Sequence, residues 1–100
     1  MFNISTETTG TSITISIEGV LDSSTSPKLE TVIENNLKDV KEVCFDLAKL
    51  EYMTSAGLRA ILVAQQEMDR IDGYMVVKNV PDEVMVVFSA TGFANLLNIE

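Results

Sequence analysis

The sequence predicts an α/β fold: a mixed sheet of four to five strands, with an N-terminal hairpin and later strands parallel, carrying three main helices. Three observations lead there. Ile13, Ile15 and Ile17 alternate with Thr14, Ser16 and Glu18, apolar residues recur at helical spacing after Ser26-Pro27, and short apolar runs at 43–47 and 74–78 are separated by helical segments. Strands that alternate with helices in this way run parallel, joined by right-handed crossovers.

The isoleucine alternation marks a strand with one wet face, and Phe2 and Ile4 begin a shorter copy of it. Thr9-Gly10 lies between them, so residues 2–7 and 11–19 form a hairpin. Ser26 then reads as an N-cap with Pro27 at the first helical position. Leu29, Val32, Ile33, Leu37 and Val40 continue as one face of an amphipathic helix of about four turns. Residues 43–47, short and flanked by charge, suit a buried central strand, and 48–53 read as a loop.

Leu58, Ile61, Leu62, Met68 and Ile71 mark the face of a second helix, closed by Asp72-Gly73. Residues 74–78 form a strand. Pro81, Asp82 and Glu83 then start a third helix, with Val84, Val87 and Phe88 inward and Gly92 as its stop. Met85 and Val86 fall on its outward side; burial by neighbouring loops is the favoured expectation, an exposed contact patch the other. Residues 96–99 add a last edge strand.

Composition narrows the class. One hundred residues, 46% hydrophobic and 22% charged, suit one core with a layer of helices on a sheet. No basic start, signal core or spanning apolar run is present, which predicts a soluble, cytoplasmic protein. Cys44, the only cysteine, reads as a small buried hydrophobe. The net charge is −8, from 15 acidic against 7 scattered basic residues. Nucleic acid and anionic membranes are poor partners for such a surface, whereas a protein with a basic face is steered toward it.

If strands 11–19 and 43–47 are parallel, the loops 20–25 and 48–54 leave from the same carboxyl edge, where sites in open α/β sheets assemble. Ser55 sits on that edge, where a strand's exit loop becomes a helix and the helix end favours an anion. Its hydroxyl admits three roles: cap, nucleophile or phosphoacceptor. The chain contains no histidine, and the fragments DxDxDG, HExxH, GxxxxGK[ST], GxGxxG and GxSxG are all missing. With no base to activate Ser55, no enzyme, metal site, cofactor or small-molecule substrate is expected.

Capping and modification remain compatible. As an N-cap, Thr54 or Ser55 would lose about 1 kcal/mol on substitution by Ala. Gly57 in the first turn costs a helix up to about 1 kcal/mol relative to Ala, which points to a close approach of another segment. Asp22, Ser23, Ser24 and Thr25 belong to the same edge. They either cap the helix at 27–38 or let Asp22 orient a bound hydroxyl or pair with a partner's cation.

In order along the chain, Gly19-Val20-Leu21-Asp22 and Thr25, Phe45-Asp46-Leu47, Thr54-Ser55-Ala56-Gly57-Leu58, Gly73, and Phe88 with Thr91-Gly92-Phe93 resemble a STAS domain of the bacterial anti-sigma factor antagonist family. The resemblance implies a single STAS domain over residues 1–100 and a partner-switching role in transcription regulation. In that family the unphosphorylated domain binds a GHKL-type serine kinase that is also an anti-sigma factor, freeing the sigma factor. Phosphorylation ends the binding, and a PP2C-type phosphatase restores it. The family's phosphoserine falls on Ser55. Its partner-binding surface falls on Asp22, Ser23, Ser24, Thr25, Met53, Thr54, Ala56, Gly57 and Leu58. Thr54 stands where the family usually has an acid, and Ala56 where it has a second hydroxyl. The other role such a domain implies is a non-phosphorylated subunit of a transport or stress-signalling complex.

Overall fold

The alternation at Ile13, Ile15 and Ile17 becomes the inner face of a central strand: all three are essentially inaccessible, while Thr14, Ser16 and Glu18 between them keep partial exposure. The structure, a computed structural model, describes residues 1–100. Its elements are β1 (Asn3–Thr9), β2 (Ser12–Leu21), α1 (Ser26–Asn36), β3 (Glu42–Asp46), β4 (Leu50–Met53), α2 (Ser55–Arg70), β5 (Tyr74–Lys78), α3 (Asp82–Thr91) and a short 3-10 turn at Phe93–Asn95.

The sheet runs β1-β2-β3-β5, with β4 added beside the end of β2. β1 and β2 are antiparallel, Ile4 opposite Ile17 and Thr8 opposite Ile13. β2, β3 and β5 are parallel, so that Ile15, Phe45 and Val77 share one row. The mixed sheet, its hairpin, its parallel later strands and three helices therefore match the expected class.

One cluster of 23 buried residues joins that inner face to the helices, with Phe45, Phe88, Leu58 and Ile61 fully enclosed. The outward residues of the parallel strands, among them Thr14, Ser16, Cys44, Asp46 and Val76, are half-buried on a face that no helix covers. Cys44 therefore differs from the buried residue expected. Its partial burial still pushes the thiol above its ordinary value, so it is a poor nucleophile.

Several boundaries differ for local reasons. Residues 50–53 form a strand instead of a loop: β2 shifts register between Gly19 and Val20 and gives its last residues, Val20 and Leu21, to Tyr52 and Met53. Gly19 permits this with φ +100°, and a Cβ there would lie 2.0 Å from the Met1 carbonyl oxygen. α1 starts at Ser26, with Thr25 at the cap position, and ends at Asn36, whose amide donates to the Val32 carbonyl at 2.7 Å. The helix is thus a turn shorter than expected, and Leu37 and Val40 reach the core from the loop.

On α2, small residues do much of the packing. Gly57, Ala60 and Ala64 are buried beside Leu58, Ile61 and Met68, whereas Leu62 is half-buried and Ile71 is 37% exposed. α3 ends as expected at Gly92, which takes φ +78°. Val86 is 66% exposed, so loops do not cover it; Met85 and Val87 are half-buried against the core. The last edge strand reduces to a single bridge between Val77 and Ile99: the 3-10 turn at Phe93–Asn95 runs on into Leu96, which keeps a helical backbone and donates its N–H to the Phe93 carbonyl at 2.9 Å.

Phe45 lies at the centre of this packing, with no exposed surface. Phe45→Ala is expected to lower stability by about 3 to 5 kcal/mol, as for other large-to-small changes in tight cores, measured by urea unfolding.

Candidate functional site

Ser55 is placed by a junction between the end of β2 and the start of α2. The Thr54 N–H donates to the Leu21 carbonyl at 3.0 Å. One turn on, Gly57 leaves no room for a side chain: a Cβ would meet Leu21 Cγ at 2.6 Å and the Leu21 carbonyl oxygen at 2.8 Å. The close approach inferred from Gly57 is this contact. It sets Ser55 next to the turn that follows Leu21, and both loops leave the same carboxyl edge because β2 and β3 are parallel.

That turn is organised by Asp22. Its Oδ1 accepts from the Ser24 N–H at 2.9 Å, the Ser24 hydroxyl at 2.7 Å and the Thr25 N–H at 3.1 Å. The Thr25 hydroxyl donates to the Val20 carbonyl at 2.9 Å and accepts from the Asp22 N–H at 2.8 Å. These bonds, the one from the Ser24 hydroxyl foremost, hold the Asp22 carboxyl below its ordinary value of 3.8. Asp22 thus closes an Asx-type turn just ahead of α1 instead of capping the helix with its carboxylate, and Thr25, at the cap position, makes no side-chain cap bond. Ser23 is exposed on the outside of the turn.

At α2, Thr54 takes the extended cap conformation, φ −97° and ψ 174°, without a side-chain cap bond, and its Oγ1 is buried with no partner. Ser55 is the first helical residue and is exposed. Neither hydroxyl caps the helix, which corrects the capping expectation. The N–H groups of Ser55, Ala56 and Gly57 precede the first intrahelical bond, from Leu58 to the Thr54 carbonyl at 3.0 Å. Met53, Gly57 and Leu58 are buried and anchor the loop, while Ala56 is half-buried.

The surface near Ser55 is not purely polar. Val20 and Tyr52, paired in register, are 38% and 46% exposed. Sequence reasoning placed Val20 in the motif and the edge loop without counting it as a contact residue, and passed over Tyr52. Val20 breaks the β2 alternation, and that break is the signal that could have marked it. No three His, Cys, Asp or Glu side chains gather to hold a metal ion. A surface depression lies elsewhere, on the uncovered sheet face between Ser5, Ser16, Asp46 and Lys49.

The STAS domain family model matches residues 3–100. The chain belongs to the STAS domain family. Among its relatives, BtrV of Bordetella bronchiseptica, named as an anti-sigma factor antagonist, is 29% identical over 84 residues, covering 83% of this chain and 72% of that protein. The anti-sigma-B factor antagonist of Staphylococcus aureus is 26% identical over 98 residues, covering 97% and 91%. The Bacillus cell fate determinant SpoIIAA in its phosphorylated form shares the fold, with a TM-score of 0.75 and 19% identity over 100% of this chain and 91% of that one. No helix of this STAS domain is long and apolar enough to cross a membrane.

Two outcomes check this geometry. Gly57→Ala gains up to about 1 kcal/mol of helix propensity, but the overpacking it forces on a backbone carbonyl costs about 1 to 3 kcal/mol. Net destabilisation of the STAS domain is therefore expected in urea unfolding. For Asp22, a carboxyl lowered by folding contributes stability that is present above 3.8 and is lost as pH falls through the lowered value. Asp22→Asn is expected to be less stable than wild type at neutral pH, with the gap closing on acidification below 3.8 in a pH series of unfolding curves.

Proposed function

We propose that residues 1–100 act as one non-enzymatic STAS module, an anti-sigma factor antagonist whose edge around Ser55 binds a serine kinase that doubles as an anti-sigma factor. Binding in the unphosphorylated state releases the sigma factor. Phosphorylation of Ser55 ends the binding, and a phosphatase, of PP2C type by family resemblance, resets it. The observation that carries this reading is Ser55 itself: exposed, at the first position of α2, with no capping role to perform. The names of the Bordetella and Staphylococcus relatives support the antagonist role.

The chemistry asks little of this chain. A kinase brings ATP, its metal ion and a base. The Ser55 oxygen attacks the γ-phosphorus, the hydroxyl proton passes to the base, and ADP leaves. The serine must be reachable on a rigid support, and the Leu21 junction supplies that support. The product carries about −1.5 to −2 charges at neutral pH. At the start of a helix an anion gains about 0.3 to 1 kcal/mol, so the free protein tolerates it. Inside a closed interface the same group loses water that no group of the partner replaces, and a loss near 3 kcal/mol corresponds to weakening of about a hundredfold. No refolding is required for such a switch.

Ser55→Ala is expected to change stability by less than about 0.5 kcal/mol, because the side chain holds nothing in place. Incubation with the kinase and ATP is expected to add one phosphate to the wild type and none to Ser55→Ala, read by intact mass. Modification at another residue, or capture of transporter components in place of a GHKL-type ATPase in a pull-down, would overturn the proposal.

A further inference from the structure

Arg59 is an exposed cation on α2 with no ionic partner; the structure's one ion pair joins Arg70 to Glu67, farther along the same helix. It follows Ser55 by one helical turn, a spacing that leaves Cβ atoms about 5 to 6 Å apart on a shared face. Side chains on a helix lean toward its N-terminus, so the surface Arg59 covers is the one on which Ser55 stands. An anion one turn ahead of a cation is also the favourable order for such pairs.

The surroundings leave this cation to Ser55. No acidic residue lies in the first turn of α2. The carboxylate of Asp22 is engaged by its own turn. The other charged groups that these elements bring to this edge are Lys28 and Glu30 of α1, Asp46 at the end of β3, Glu51 of β4, Lys78 at the end of β5, and Asp82 and Glu83 of α3. Five of those seven are carboxylates, which would repel a phosphoryl group, and the two lysines belong to α1 and β5, not to the helix that carries Ser55.

We propose that Arg59 is the internal counter-ion of phosphorylated Ser55: its guanidinium pairs with the phosphoryl group one turn before it and holds it along α2. The inference rests on Ser55 as the phosphoacceptor and adds a second arm to the switch. In the unmodified protein Arg59 is available to a partner's carboxylate. Phosphorylation then adds negative charge and withdraws that cation from the surface in the same event. Arg59 also offers a planar fork that can take two phosphate oxygens together, which a lysine cannot do.

The test needs no kinase. Phosphoserine is installed at position 55 during synthesis, with Arg59 intact, as Arg59→Gln or as Arg59→Lys, and the second phosphate ionisation is titrated by phosphorus NMR. Intact Arg59 is expected to lower that ionisation by about 0.2 to 0.4 unit relative to Arg59→Gln, with Arg59→Lys between them. The difference is expected to shrink at high salt. The neighbouring carboxylates are common to all three proteins and cancel in the comparison. Equal ionisation in the intact and Arg59→Gln proteins, or a difference indifferent to salt, would overturn the inference. Kinase failure to modify Ser55 would sink the functional proposal and leave this titration standing; modification of Ser55 by the kinase, with a second phosphate ionisation that does not depend on Arg59, would do the reverse.

Discussion

The contact of Gly57 with Leu21 is the constraint on which the arrangement of this STAS domain depends. A helix can approach the end of a strand this closely only where it lacks a side chain, and the Thr54–Leu21 hydrogen bond fixes the register of the approach. Through these two contacts the first turn of α2 becomes a rigid continuation of β2. Ser55 and the Asp22 turn then face the same solvent without touching through their side chains. A surface of this kind can be altered by charge while the core behind it stays still.

The sheet explains why this edge is available. β2 is shared between two partners: β3 along most of its length and β4 after the Gly19 irregularity. That handover carries the chain past the end of β3 and delivers β4 directly into α2. The helices pack on the inner face, and the outer face stays polar, with Asp46 taking hydrogen bonds from Asn79 and the Ala48 N–H and its carboxyl accordingly below its ordinary value. The edge is thus left as the place where exposed hydroxyls, a free cation and the apolar pair Val20 and Tyr52 come together.

Most of the fold was legible because its signals are periodic. Ile13, Ile15 and Ile17 fix a face whatever their neighbours do, and Pro27 and Gly92 mark helix ends through backbone restrictions that act locally. β4 was not legible, since Glu51 and Tyr52 are both exposed between buried Leu50 and Met53 and so give no period of two. The exposure of Val86 was equally hidden, because nothing in an apolar run states which side a neighbouring loop will cover. At the site, Ser55, Asp22 and Gly57 were visible as residue types in suggestive places, but their bonds were not. Asp22 spends its carboxylate on its own turn, and Thr54 occupies a cap position without capping.

By itself, the sequence determined the α/β class, the order of nearly all elements, the absence of histidine, and the serine on the carboxyl edge. These follow from local patterns and from which functional groups the chain contains. Only the tertiary structure decided that Leu21 is what Gly57 must admit, that β2 divides its pairing between β3 and β4, and that Val20 and Tyr52 share the surface near Ser55. Such facts depend on contacts between residues thirty or more positions apart, about which local propensity carries no information.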